Sequence, residues 1–336
     1  MSATSDDTII LFHYSFSPFA RRVSWYLDLR GIKYSQCIQP PTLPREDLTA
    51  LGISYRRIPI LSIGRDVYYD TRLILRKLEE KVPAGSLGAT ADDLRALERL
   101  LERWTVDAGI FARASQLIPP TLPLLRDPKF QRDREDYTGR SWSRESVEVL
   151  RPEALVEVRD AFSFLESTLL ADGREWILST QTPTLADIEA IWPFHWLTTL
   201  DGALPPTLIS KRQFPKAYEW ITRFSKAIAA ARTSNGRPAS LKGSEAVTQI
   251  TSANFFEPDP LFDETDPSGF KVGEVVELFP IDTGSRHHDV GRLVGLSPNE
   301  VVLEIQKPAA ETSIRVHAPR HGFRVQRPPN TSKAHL

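Results

Sequence analysis

Three short stretches in the first quarter of the chain put reactive or ligand-holding side chains where backbone geometry is special. The first runs Tyr14-Ser15-Phe16-Ser17-Pro18-Phe19-Ala20-Arg21-Arg22-Val23, after the apolar run Ile9 to His13. Proline suits the first helical position, because the N–H it lacks would be unpaired there, which makes Ser17 the helix cap. As a cap alone, its hydroxyl accepts a backbone N–H bond worth about 1 kcal/mol. The same position can also serve chemistry. A thiol brought to it meets the positive end of the helix dipole, orphan N–H groups and a donating hydroxyl, all of which favour thiolate. Lowering a thiol pKa by about two units takes ~2.7 kcal/mol, a plausible sum for those three effects.

The second stretch is Arg57-Ile58-Pro59-Ile60-Leu61, where a proline opens a strand that otherwise reads as central. That placement implies a cis bond, a bulge, or simply a sharp entry into the strand. With a cis bond, Ile58 presents its N–H and C=O outward, as pairing with a bound peptide requires. The third is Asp70-Thr71, a carboxylate and a hydroxyl at a second helix start. One of them is a cap; together they can also hold an amino-acid head group, the helix end taking the carboxylate and Asp70 facing the ammonium.

The elements that must position these residues alternate in type over the first 83 positions: IILFH (9 to 13), a helix from Pro18 to Leu29, KYSQCI (33 to 38), IPILSI (58 to 63) and TRLILRKLEE (71 to 80). That order is α/β. Gly31 closes the first helix, and Gly64-Arg65-Asp66 makes a hairpin turn, so the last two strands are antiparallel. From Ala91 long amphipathic helices follow, with Leu94, Leu97, Leu100, Leu101 and Trp104 on one face of a helix that reaches Gln116. Further helices fall at about 153 to 170, 185 to 198 and 215 to 231, and residues 119 to 150 read as a surface insert. Residues 236–269 read as a linker. Five short strands in 270–330 suggest a small SH3-like barrel.

Composition narrows the partners. The 336 residues carry 42 Lys plus Arg against 43 Asp plus Glu, a net charge of -1, so no overall field draws in nucleic acid or an anionic membrane. No apolar run is long enough to span a bilayer. The single cysteine, Cys37, can form neither an internal disulfide nor a thiolate cluster, and residues 1 to 8 lack a signal-peptide pattern, so a cytoplasmic protein is expected. The histidines of the last quarter, His287, His288, His317, His321 and His335, match no metal-ligand spacing, and no metal is expected.

Taken in order and at these spacings, the Ser-Pro-Phe helix, the Arg-Ile-Pro-Ile-Leu strand and the Asp-Thr helix resemble the thioredoxin-like domain of cytosolic glutathione transferases, in particular the serine-type classes with S-P-F-x-x-R-V. Thr184 and Asp187 resemble the capping box of that family's helical domain, and FPKAYEWITRF (214 to 224) its closing helix. The resemblance covers roughly residues 8 to 232. It implies a thioredoxin-like glutathione-binding domain (1–84) and an all-helical domain (85–235), with glutathione as co-substrate and a homodimer as the assembly. It implies that Ser17 donates its hydroxyl to the glutathione thiolate, with Ser15 and Tyr14 as rivals. Ile58 and Pro59 would pair with the cysteinyl part and Asp70 and Thr71 hold the γ-glutamyl group, while Arg57, or more weakly Arg45, sits near the glycyl carboxylate. Phe16, Trp104, Phe111 and Arg113 would line a pocket for a small hydrophobic electrophile.

Where thiol-transferase classes have cysteine before that proline, this chain has serine, so it cannot form the mixed disulfide of thiol–disulfide exchange. Cys37, away from any helix start, reads as a packed apolar residue. The strands after the linker are an addition that resembles the β extension of some fungal glutathione-transferase-like proteins, with dimer cover or a lid over the acceptor site as its roles. The activity so implied is attack of glutathione thiolate on an electrophile. A glutathione-dependent cis–trans isomerase and a non-catalytic binding scaffold are the alternatives.

Overall fold

The computed structural model describes residues 8–306 and 312–329, so His335 lies outside it. The first unit comprises β1 (Ile9–His13), α1 (Pro18–Arg30), β2 (Ser35–Ile38), α2 (Glu46–Thr49), β3 (Ile60–Ile63), β4 (Asp66–Tyr69) and α3 (Thr71–Lys81). Six helices follow: α4 (Asp92–Val106), α5 (Ile110–Ser115), α6 (Pro128–Thr138), α7 (Arg144–Phe164), α8 (Leu185–Thr198) and α9 (Pro215–Asn235). The chain then forms β5 (Ala239–Ser240), α10 (Gly243–Ser252), β6 (Val275–Pro280), β7 (Asp289–Leu296), β8 (Glu300–Gln306), β9 (Ser313–Pro319) and β10 (Phe323–Gln326).

Every residue of β1 is buried, because both faces of the sheet are covered. Its side chains alternate between two cores. Ile9 and Leu11 join α1, α3 and the helical unit, while Ile10 and Phe12 join Cys37 and the strands of the extension. Gly31 caps α1 in the left-handed region at φ 63°. Gly64 turns β3 into β4 at φ 56°, and a Cβ there would meet the Asn254 carbonyl at 2.4 Å. Only glycine fits both the turn and that approach.

Helical expectations need four corrections. The helix expected to reach Gln116 breaks into α4 and α5 at Gly109, φ 87°. On α4, Leu101 is buried whereas Leu100 is 64% exposed, since the buried seam passes one residue step away from it. The stretch 119 to 150 is not merely a surface insert: it holds α6 and the start of α7, and buries Leu125, Phe130 and Trp142 together. The segment 236–269 holds β5, which pairs with β2, and α10, whose Ala246, Val247 and Ile250 are buried.

The largest departure concerns the last five strands. β10 folds back onto β6, and β9 pairs not with β10 but with β4. All strands form one sheet in the order β10-β6-β7-β8-β9-β4-β3-β1-β2-β5. The join is a parallel pairing of β4 with β9, Asp66 opposite Arg315 and Tyr68 opposite His317. A free β4 edge would expose unpaired backbone groups, and β9 covers it.

A buried ionic cluster sits on that join. His317, 1% exposed, bonds Asp66 through Nε2 at 2.9 Å and Glu300 through Nδ1 at 2.7 Å. Lys77 on α3 reaches Glu300 at 2.8 Å and Glu257 at 2.7 Å, Lys81 reaches Glu257 at 3.1 Å, and the Tyr68 hydroxyl donates to Glu257 at 2.9 Å. The other Asp66 oxygen accepts the backbone N–H groups of Phe256 and Glu257. Glu257, Glu300 and His317 are close enough together to ligate a metal, but the two lysines and Asp66 already take up their atoms.

Burial opposes the charge on His317, and Asp66 and Glu300 outweigh it, so its pKa is raised. The folded chain therefore holds this proton to higher pH than the unfolded one. Its stabilisation is complete below about pH 6.5 and is lost as pH rises through the folded value. Glu257 works the other way: burial is outweighed by Lys77, His317 and Lys81, its pKa falls to about 2, and its contribution is lost only in acid. Urea denaturation at pH 6 should show His317→Gln less stable by about 3 kcal/mol, as for a buried pair that loses one partner. A pH series should show the alkaline loss of stability flattened in that variant.

Candidate functional site

Register brings the three stretches singled out in the sequence to one end of the sheet. Phe12 on β1 lies opposite Ile60 on β3, and Ile60 lies opposite Tyr69 on β4. The residues after β1, before β3 and after β4 therefore cluster at the carboxyl end of β1. Arg22 ties α1 to α3 by donating to the Thr71 hydroxyl at 2.5 Å, and Arg57 lies 3.9 Å from the Asp70 carboxylate.

Ser17 is the N-cap of α1. Its Oγ accepts the Ala20 N–H at 3.2 Å, and its own proton has no acceptor among the described residues. The residue is 2% exposed. Ser15 is exposed, and Tyr14 is half-buried, its carbonyl accepting the Ser17 N–H at 3.0 Å. The Ile58–Pro59 bond is cis. Neither the N–H nor the C=O of Ile58 is hydrogen-bonded among the described residues, which leaves both for a ligand backbone.

Asp70 has φ 63°, one of two non-glycine residues with positive φ among the described residues. Its Oδ1 caps α3 by accepting the Arg72 N–H at 3.0 Å, and takes the Arg72 Nε at 3.2 Å. Burial raises its pKa, but Arg72 and Arg57 outweigh that and hold the carboxyl below the ordinary aspartate range. A conformation that costs about 1–3 kcal/mol persists only where its surroundings enforce it, and such residues concentrate at ligand-binding sites. A fixed carboxylate beside the α3 N-terminus suits an ammonium and a carboxylate held together.

Charge alternates outward from this point: Asp70 to Arg72, Arg72 to Asp107 at 2.9 Å, and Asp107 to His321 at 2.8 Å. On the other flank Arg57 donates to the Thr283 carbonyl and to Asp282. Arg45, the weaker candidate, is buried with its guanidinium on the Pro40 and Arg56 carbonyls, a bracing role for that loop.

The four residues expected around an electrophile each have partners of their own. Phe111 packs on Phe19, Trp192 and Trp196, and Trp104 on Phe164 and Phe194. Arg113 pairs with Glu157 at 2.7 Å. Phe16, 48% exposed and 4.7 Å from the Tyr14 ring, stays beside Ser17. A cleft of about 1230 Å³ lies elsewhere, between α3 and α4, with Arg72, Arg76, Glu98, Arg99, Glu102 and Glu189 on its walls.

Sequence reasoning met Arg22 only as the arginine of S-P-F-x-x-R-V and gave it no role. It is fully buried on α1 and bonds Glu189 on α8 as well as Thr71. The available signal was a charge in the otherwise apolar inward run from Ala20 to Leu27. Cys37 is buried, and burial with the nearby Asp47 pushes its thiol up to about 11, so it stays protonated at neutral pH.

Residues 11–86 match the glutathione S-transferase N-terminal domain family, and residues 113–233 match a domain of unknown function, DUF7962. A GST-like protein from Pseudomonas syringae, 24% identical, superposes with a TM-score of 0.69 over 96% of this chain and 100% of its own. The fold is that of glutathione S-transferases. The β-etherase LigF from Sphingobium sp. strain SYK-6 is 14% identical, with a TM-score of 0.52 over 68% of this chain and 99% of that one. The Tau class glutathione S-transferase MiGSTU from mango is 15% identical, with a TM-score of 0.50 over 68% and 93%. No curated protein matches the chain. The Pseudomonas match spans nearly the whole chain, so the extended layout is not confined to fungal proteins. Among the described residues no helix is long and apolar enough to cross a membrane.

Removing Arg22 strands Glu189 in the core. Arg22→Met should cost about 3 kcal/mol or more in urea denaturation, and adding Glu189→Leu should return part of that loss.

Proposed function

We propose that the chain is a glutathione transferase whose site lies at the carboxyl end of β1. In this reading Asp70 and the start of α3 hold the γ-glutamyl group, Ile58 pairs with the cysteinyl backbone, and the Ser17 hydroxyl donates to the thiolate. The observation that carries it is Asp70, a carboxylate largely shielded from solvent and fixed at positive φ between Arg57 and Arg72, close to the unpaired backbone of Ile58.

The chemistry is thiol activation followed by attack. Free thiol is only a few per cent thiolate at neutral pH, so ionisation alone raises the rate a few tens-fold at most. Orientation of the sulfur towards an electrophile supplies the rest. The Ser17 proton, which has no acceptor of its own among the described residues, is free to stabilise S⁻. Tyr14 and Phe16 offer an aromatic edge for a small apolar electrophile.

Calorimetry should show glutathione binding, weakened about tenfold or more by Asp70→Ala, the scale of a lost charged hydrogen bond. The ultraviolet absorbance of bound thiolate, followed against pH, should show a thiol pKa raised by about one unit in Ser17→Ala and unmoved in Ser15→Ala. A shift in Ser15→Ala alone would transfer the role to Ser15. Product mass would then separate conjugation, which consumes glutathione, from isomerisation, which does not.

A further inference from the structure

The β6–β7 turn of the extension reaches the arginine beside the cis peptide. Arg57 donates through Nε at 3.0 Å and Nη2 at 2.6 Å to the Thr283 carbonyl, and through Nη2 also to the Asp282 carboxylate. Its Nη1 lies 3.9 Å from Asp70. The face of the guanidinium that would grip a carboxylate through two parallel bonds is thus already taken.

The turn is held from both sides and does not depend on Arg57 for its place. The Gly284 N–H donates to the Tyr137 carbonyl at 2.7 Å, and His287 bonds Asp136 at 3.0 Å, both on α6. At the foot of the turn the buried Asp289 takes the Ser54 N–H at 2.5 Å and the Tyr69 hydroxyl at 2.9 Å. The Ile281 N–H bonds the Gly322 carbonyl at 3.0 Å, which couples this turn to the one that carries His321. Asp282 itself is 62% exposed, so nothing in the core requires its charge.

We infer that Asp282 is a specificity-determining residue: by neutralising Arg57 it makes the site accept γ-glutamyl thiols whether or not their C-terminal carboxylate is free. The inference rests on the glutathione reading above. In that reading Arg57 stands directly before Ile58, and a ligand's glycyl carboxylate would compete there with an anchored carboxylate and carbonyl.

The test compares glutathione with its glycyl monoethyl ester by calorimetry, on the wild type, Asp282→Ala and Asp282→Ala/Arg57→Ala. The wild type should bind the two with nearly equal affinity. Asp282→Ala leaves the Thr283 carbonyl on Arg57 but removes the competing negative charge, so it should favour glutathione several-fold, and the double variant should return the ratio to near one. A wild-type preference for the free carboxylate, or an Asp282→Ala ratio that stays near one, would overturn the role of Asp282 and leave the glutathione site standing. If neither ligand binds any variant, the glutathione reading falls, and this inference with it.

Discussion

The parallel pairing of β4 with β9 is the constraint on which the rest of the molecule depends. A four-stranded sheet ending at β4 would present an open edge, and a separate barrel of five short strands would have edges of its own to hide. Joining the two covers the open edge of β4 and one side of β9. The join also gives the far face of β1 and β3 its cover, since Phe12 and Ile60 pack in the same core as Val276, Leu303 and Val316. The ions are placed where this pairing needs them: Asp66 and His317 face each other across it, and Lys77 and Lys81 bring α3 to the same cluster.

That join carries the extension to the candidate site. With β9 fixed against β4, the β6–β7 turn falls on Arg57 and the β9–β10 turn on Asp107. Both of the arginines that hold Asp70 therefore have a further partner, Arg57 in Asp282 and Arg72 in Asp107, and Asp107 in turn binds His321. A site assembled only from the N-terminal unit would leave Arg57 open on one side. In the proposed reading, the added strands set how much positive charge a ligand meets.

Local rules made much of the site legible. The serine before Pro18, the proline before Ile60 and the Asp70-Thr71 pair each occupy a position whose backbone demands are short-range: Ser17 and Asp70 cap their helices, and of the options open at Pro59 the cis bond is the one present. The Thr184–Asp187 capping box is likewise formed, with Asp187 also accepting from Ile177 and Trp220. Arg22 was less legible, because whether a charge on an apolar helix face is tolerated depends on what the facing helix offers, and Glu189 lies 167 residues away. Spacing likewise shows that Trp104 and Phe111 lie on faces turned toward the core, but not that they pack against Phe194 and Trp192.

By itself, then, the sequence determined the order of elements, the caps and turns, and the three stretches that meet at the end of β1, since these follow from propensity, periodicity and glycine or proline geometry within a few residues. Only the tertiary structure decided that the last strands continue the first sheet through the β4–β9 pairing. Strand pairing is set by which edge is open and which faces are apolar once the chain has folded back, and a short alternating strand reads the same whichever neighbour it finds. The partners of Arg57 and His317 were settled at that step, because residues more than two hundred positions apart are brought together by the pairing and not by any local preference.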